Sequence, residues 1–176
     1  MAKLLAWILA LGLSVSSAGA AATDGKSMIL EAKDLAGLTW NLDVSYVATT
    51  NDLSCKYANS ITGLWDAQTV TERVAPASEG TRMRAVVPLA PGGQEAFCSW
   101  ELSSVALCPA NANGEGRACT TLFVVRSRAE PLPRSMELTC DVERASCASP
   151  TSYPASYALP ADAQPVLELK LRPIAD

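Results

Sequence analysis

The 176-residue chain contains no histidine. That absence excludes Ser-His and Cys-His nucleophile pairs, histidine-ligated metals and imidazole general bases. Ser-x-x-Lys does not occur, and neither does a G-x-x-x-x-G-K-[ST] phosphate loop. Gly114-Glu115-Gly116 follows no strand-to-helix pattern that would make it a dinucleotide site. The cysteines contain no C-x-x-C spacing, so neither a zinc site nor a thioredoxin-like redox centre is expected. No cofactor is expected either. A long amphipathic helix and an internal repeat are missing too, which turns attention from helical and solenoid folds to strands.

Long apolar runs are scarce, and the one that exists is at the start. Lys3 precedes the apolar stretch Leu4 to Leu13, and small residues follow, ending in Ala18-Gly19-Ala20 or Ala20-Ala21-Ala22. This is the layout of a secretory signal peptide over residues 1–20, with cleavage after Ala20 or Ala22. The apolar core is short for a bilayer span, and no later segment qualifies as a transmembrane helix. Residues 23–176 then form a single domain, able to bury roughly two-thirds of its unfolded surface. Loss of Lys3 with the leader takes the net charge from −4 to −5. Arg82, Arg84, Arg126, Arg128 and Arg134 could share a face, but alternating arginines read as the solvated side of strands. Nucleic acid is not an expected partner.

Six cysteines are present, Cys55, Cys98, Cys108, Cys119, Cys140 and Cys147, all in the exported part. An even count in an oxidising compartment, periplasmic or extracellular, reads as three disulfides. Of the 15 connectivities that six cysteines allow, those with Cys98 bonded to Cys108 are disfavoured. The two lie on one apolar stretch, Ala96 to Cys108, about 33 Å apart if it is extended, and a disulfide needs Cα atoms within about 7 Å. The expected set is Cys108 with Cys119 across a hairpin loop, Cys140 with Cys147 across a tighter one, and Cys55 with Cys98 by elimination.

Strand signals fill the mature chain. Leu38, Trp40, Leu42, Val44 and Tyr46 alternate with polar residues, the period of a half-buried strand. Gln68 to Ala75 and Arg82 to Leu89 are strand candidates, and Pro91-Gly92-Gly93 is a turn. Within Ala96 to Cys108 the apolar parity changes after Ser103, and a β-bulge at Ser103-Ser104 would return Val105 and Leu107 to the face of Trp100. Cys119 to Ser127 holds Leu122-Phe123-Val124-Val125, which suits burial on both faces. Arg128 to Pro133 reads as a turn, and Ser135 to Glu143 and Val166 to Arg172 as alternating strands. Asp24 to Gly37 suits a short helix or a strand. Thr49 to Asp66 reads as a long loop.

Seven or eight strands with turn signals at short intervals predict an all-β fold, an antiparallel β-sandwich stapled by disulfides, with a β-barrel as second choice. The architecture is immunoglobulin-like only in the broad sense. Cys55 and Trp65 have a suggestive spacing, but no Tyr-x-Cys precedes a later cysteine.

Few residues remain for chemistry. Glu101 adjoins Trp100, and with Glu95, Asp43 or Asp141 it could form the carboxylate pair of a glycoside hydrolase. Alternation sends Glu101 to the face opposite Trp100, so a solvated role is the simpler expectation. Asn111, Asn113 and Glu115, with Gly116 at position six, mimic the opening of an EF-hand loop. Position twelve is Leu122 instead of a bidentate Glu, so no metal site is expected. Two surface segments are better placed for partner binding: Asn51 to Asp66 with Tyr57 and Trp65, and Ser146 to Pro165 with Tyr153 and Tyr157 among four prolines. The function expected is an exported, non-catalytic module that binds another protein or a cell-envelope component, as an inhibitor or immunity-type factor. A carboxylate-pair hydrolase of cell-wall polysaccharide and a structural subunit of a surface assembly are the alternatives.

Overall fold

A computed structural model describes residues 26–33, 35–92, 97–111, 116, 118–150, 155–160 and 164–174. The expected leader, with Ala20 and Ala22, lies outside the described residues, as do Glu95, Ala96, Asn113, Glu115 and Tyr153. None of the described helices is long and apolar enough to cross a membrane.

The chain folds as two packed β-sheets. In chain order the strands are β1 (Ser27–Lys33), β2 (Leu38–Ala48), β3 (Lys56–Ala58), β4 (Trp65–Ala67), β5 (Thr69–Val74), β6 (Ala77–Glu79), β7 (Arg82–Pro88), β8 (Trp100–Asn111), β9 (Thr120–Pro131), β10 (Ser135–Asp141), β11 (Ser146–Ala148), β12 (Ala155–Ala158) and β13 (Val166–Pro173). One sheet runs β11-β10-β13-β1-β7-β6, the second β12-β9-β8-β2-β5, and β3 pairs with β4 in a small separate ladder. The sandwich expected from sequence is present, and the sheets are mixed instead of wholly antiparallel. β13 lies parallel to both β1 and β10, and β12 lies parallel to β9. The sequence could not reveal this, because alternation is the same in either direction.

The core lies between the sheets and follows the alternation. Leu42, Val44 and Tyr46 of β2, with Leu102, Val105 and Leu107 of β8, face Met28 and Leu30 of β1, Val87 of β7 and Leu167 and Leu169 of β13 in one buried cluster. Among the described residues no polar or charged residue is buried. The Tyr46 hydroxyl keeps its hydrogen bond by donating to the Pro88 carbonyl at 3.1 Å, which ties the two sheets together.

Two bulges keep apolar side chains in the core. On the β2–β8 ladder Ser45 opposes Ser104 and Tyr46 opposes Leu102, so Ser103 is the extra residue. Leu102 and Val105 therefore share the buried face despite their odd spacing. On the β8–β9 ladder Val105 opposes Phe123 and Ala106 opposes Thr121, which makes Leu122 the extra residue. That bulge is why Leu122 and Phe123, adjacent in sequence, are both buried.

Within 24–37, where the sequence suits either a helix or a strand, Ser27–Lys33 forms strand β1, buried at Met28, Ile29 and Leu30. Three expectations need correction. The central strand begins at Trp100 instead of Ala96, and Cys98 precedes it in a bend. Arg128 to Pro133 is not a turn: β9 continues to Pro131, because Glu130 and Pro131 pair with Tyr157 and Ala158 of β12. Pro131 is tolerated there because the β8–β9 ladder has already ended at Val124, so its missing N–H costs no bond to β8. Thr49 to Asp66 is not one loop either. It contains a 3-10 turn at Leu53–Cys55 and the β3–β4 hairpin.

The disulfides are Cys55–Cys98, Cys108–Cys119 and Cys140–Cys147. They are the three expected pairs, two of them from loop spacing and Cys55–Cys98 by elimination. Cys140 and Cys147 face each other across the β10–β11 hairpin, whereas Cys55–Cys98 joins segments 43 residues apart.

Candidate functional site

Residues 52–68 build an arm that leaves the sandwich at the end of β2. Asp52 starts it: its carboxylate accepts from the Ser54 hydroxyl at 2.6 Å and from the Ser54 N–H at 2.8 Å. Those two hydrogen bonds hold the Asp52 carboxyl below its ordinary value, the side-chain bond being the larger cause. The turn brings Cys55 inward to Cys98. β3 and β4 then pair as Lys56 with Ala67, Tyr57 with Asp66 and Ala58 with Trp65.

Polar residues shape both ends of the arm. At the tip, Asn59 Oδ1 accepts from the N–H groups of Ile61 and Thr62, and Asn59 Nδ2 donates to Asp66 at 2.7 Å. Gly63 has φ of 70°, a left-handed turn position that a side chain would strain. At the base, Gln68 Nε2 donates to the Ser54 carbonyl at 2.9 Å, and Gln68 N–H to the Cys55 carbonyl at 3.0 Å. The segment carrying Cys98 is zipped to the end of β2 as well. Thr49 N–H donates to Ser99 O at 2.7 Å, and Ser99 N–H to the Thr50 hydroxyl at 2.9 Å. A lone two-stranded hairpin is marginal in water, and these bonds with the disulfide hold this one.

The side chains on the arm are its unusual feature. Among the described residues nine large hydrophobics are exposed, and five of them, Leu53, Tyr57, Ile61, Leu64 and Trp65, lie within 53–65. Phe97, beside Cys98, is a sixth at the arm's base. Cross-strand register puts Trp65 on one face of the hairpin with Ala58, and Tyr57 on the other with Asp66. Ile61 is 93% exposed at the tip. Scattered exposed apolar residues mean little, but a concentration on one projecting element marks a contact surface.

The remaining sequence candidates separate. Tyr157 is half buried and packs edge-to-face on Phe123, with ring centroids 6.4 Å apart. It is a core residue, unlike Tyr57 and Trp65. Tyr153 lies outside the described residues. Pro160 and Pro165 line a groove of about 880 Å³ together with Leu132, Arg134, Val166 and Glu168. Trp100 is half buried between the main core and the Ala48–Cys55–Cys98 cluster, and its buried indole N–H has no hydrogen-bond partner among the described residues.

Glu101 is exposed on β8 opposite Val47. Asp43 lies four residues back along β2, about 13 Å away, beyond the ~5–9.5 Å between glycosidase carboxylates. Asp43 is engaged in a bidentate pair with Arg73, at 2.8 and 3.1 Å. That contact raises the Arg73 guanidinium above its ordinary value, hydrogen bonding first and charge second. Asp141 belongs to the other sheet and pairs with Arg144 at 3.6 Å. One oxygen of Asp43 and the sulfurs of Cys108 and Cys119 lie within 4.8 Å of one another. Both sulfurs are consumed by their own disulfide, and cysteine ligates a metal as the free thiolate.

Sequence reading selected Tyr57 and Trp65 of the arm and missed Leu53, Ile61, Leu64 and Phe97. The signal was available: apolar residues punctuate a turn-forming stretch in neither a helical nor a strand period. No family model matches this chain, and no curated protein or solved structure matches it.

Proposed function

We propose that the chain is an exported, non-catalytic binding protein that engages another protein, or a cell-envelope component, through the arm of residues 52–68. The observation that carries this reading is the clustering of exposed Leu53, Tyr57, Ile61, Leu64 and Trp65 on a hairpin fastened at its base. A rigid arm presents aromatic and aliphatic anchors with little entropy left to lose on binding, which favours affinity. Export is supported by the leader-like start and by three disulfides, which persist in oxidising compartments.

The test uses the mature chain as bait in periplasmic extract or culture fluid, beside a Leu64→Ser/Trp65→Ser variant with unchanged unfolding midpoint. A partner held by the parent and lost by the variant supports the reading. Equal recovery of every partner by both forms overturns it. A parallel Tyr157→Phe control, altered in the core, is expected to retain the partner.

A further inference from the structure

The outer edge of the five-stranded sheet offers a second surface. β4 and β5 run almost end to end from Trp65 to Val74, ten residues and about 33 Å. β3 and β2 flank them on one side, and among the described residues no strand pairs with the other. Gln68 donates its N–H to Cys55 and accepts from the Ala48 N–H at 2.9 Å, so its amide groups face inward. Successive residues of a strand turn these groups to alternate sides. The N–H and C=O groups of Thr69, Thr71 and Arg73 therefore point outward, where a further strand would pair.

Open edges are commonly blunted by proline, lysine or a bulge. Residues 65–74 contain neither proline nor lysine, and the β2–β5 ladder runs from Leu42–Val74 to Val47–Thr69 with no shift of register. What the edge carries is Glu72. It shares the inward face with Val70 and Val74, all three half buried, and among the described residues no lysine or arginine is ion-paired with it.

We propose that this edge accepts an extended segment of another polypeptide as a sixth strand, with apolar side chains opposite Val70 and Val74 and a Lys or Arg opposite Glu72. Directly opposed residues share a face, so the segment reads apolar-x-basic-x-apolar in either direction. Its basic residue supplies the cation that Glu72 lacks, and its apolar residues complete the burial of the two valines. A second copy of the chain does not meet this requirement. In a two-fold pairing of β5 with itself, Glu72 can oppose only Asp66, Gln68, Val70, Glu72 or Val74, none of them cationic, since Arg73 lies on the other face.

The inference shares with the proposed function the premise that the chain binds a polypeptide, but it rests on Glu72 and not on the arm's apolar tip. Fluorescein-labelled ten-residue peptides centred on Val-Thr-Lys-Thr-Val, or the same with Glu for Lys, are titrated by anisotropy against the full mature chain. The Lys peptide is expected to bind about tenfold tighter, the difference between an opposite-charge and a like-charge cross-strand pair. Glu72→Lys inverts the preference and Glu72→Gln removes it. Peptide N-methylated at the pairing positions does not bind, and bound Lys peptide slows amide exchange at Thr69, Thr71 and Arg73. Equal binding of the Lys and Glu peptides, or none at millimolar concentration, overturns the proposal. So does self-association of Glu72→Val without peptide binding by the parent, which would make Glu72 solely a guard of the edge. Loss of this preference with arm-dependent capture intact leaves the proposed function standing, and the reverse result leaves the edge standing.

Discussion

Cys55 and Cys98, bonded with Cα atoms 5.6 Å apart, join the base of the arm to the segment that leads into β8. Both are buried in a small cluster with Ala48, on which Trp100 packs. The bond closes a loop with a sequence separation of 43, for which the chain-entropy model gives about 4 kcal/mol. A Cys55→Ala/Cys98→Ala variant is expected to lose about that much in denaturant unfolding. Limited proteolysis should then cut first within residues 56–67. Cleavage there at the parental rate would mean that Gln68 and Asp52 suffice to hold the arm.

Tyr46 has a pH signature. Burial, with the negative charge of Glu72 as a smaller cause, pushes its hydroxyl well above the ordinary phenol value. A raised folded-state pKa contributes stability that is complete below the unfolded value, about 10, and is lost as pH rises from there toward the folded value. Tyr46→Phe is expected to cost about 1 kcal/mol at neutral pH through its bond to Pro88. Above pH ~10 the gap between parent and variant should narrow by up to about 1.4 kcal/mol per pH unit. Urea unfolding at a series of pH values measures both.

The extra residue at Ser103 can be removed. Deleting it turns Leu102 and Trp100 against the parity of Val105 and Leu107, so one pair must leave the core. The expected cost is at least ~3 kcal/mol, the size of a fully exposed or lost large apolar side chain. Ser103→Ala keeps the extra residue and should stay within about 1 kcal/mol of the parent. Thermal unfolding of the two variants separates spacing from side-chain chemistry.

Reduction should be ordered. Cys55, Cys98, Cys140 and Cys147 are all buried, whereas Cys119 is exposed. Attack by a thiolate requires access to a sulfur. Mild dithiol treatment followed by alkylation and peptide mapping is expected to label Cys108 and Cys119 first. Labelling of Cys140 ahead of Cys119 would contradict this order.

Trp65 should stand apart from the buried Trp40 in fluorescence. It is 55% exposed where Trp40 is 2%. Iodide is expected to quench a red-shifted component that Trp65→Phe removes, while the unfolding free energy changes by less than about 0.5 kcal/mol.

The legible parts of the fold were those governed by side-chain period. Trp40, Leu42, Val44 and Tyr46 announce β2, and the parity change after Ser103 announces a bulge, because a strand with one buried face cannot slip by one residue without exposing its core side chains. Cysteine spacing was readable for a related reason, since the reach of a disulfide is short. The β3–β4 hairpin was not legible. Its strands have three residues each, too few to display alternation, and they are held by Gln68 and Cys98 from outside the segment. The end of β9 was hidden by prolines that normally signal a turn, and its partner β12 lies far along the chain.

The sequence by itself determined that histidine-dependent chemistry is unavailable, that the domain is built of strands, and which cysteines could reach each other, since composition and local period suffice for these. Tertiary structure alone decided which strands are parallel, which aromatic residues are core and which are exposed, and, among the described residues, where an edge stays open. Tyr157 and Tyr57 look alike in sequence, each in a loop-like stretch without regular alternation. Packing on Phe123 half-buries one, while pairing with Asp66 on a projecting hairpin leaves the other in water. Burial is a property of what the rest of the chain brings alongside a residue, and no local pattern contains that information.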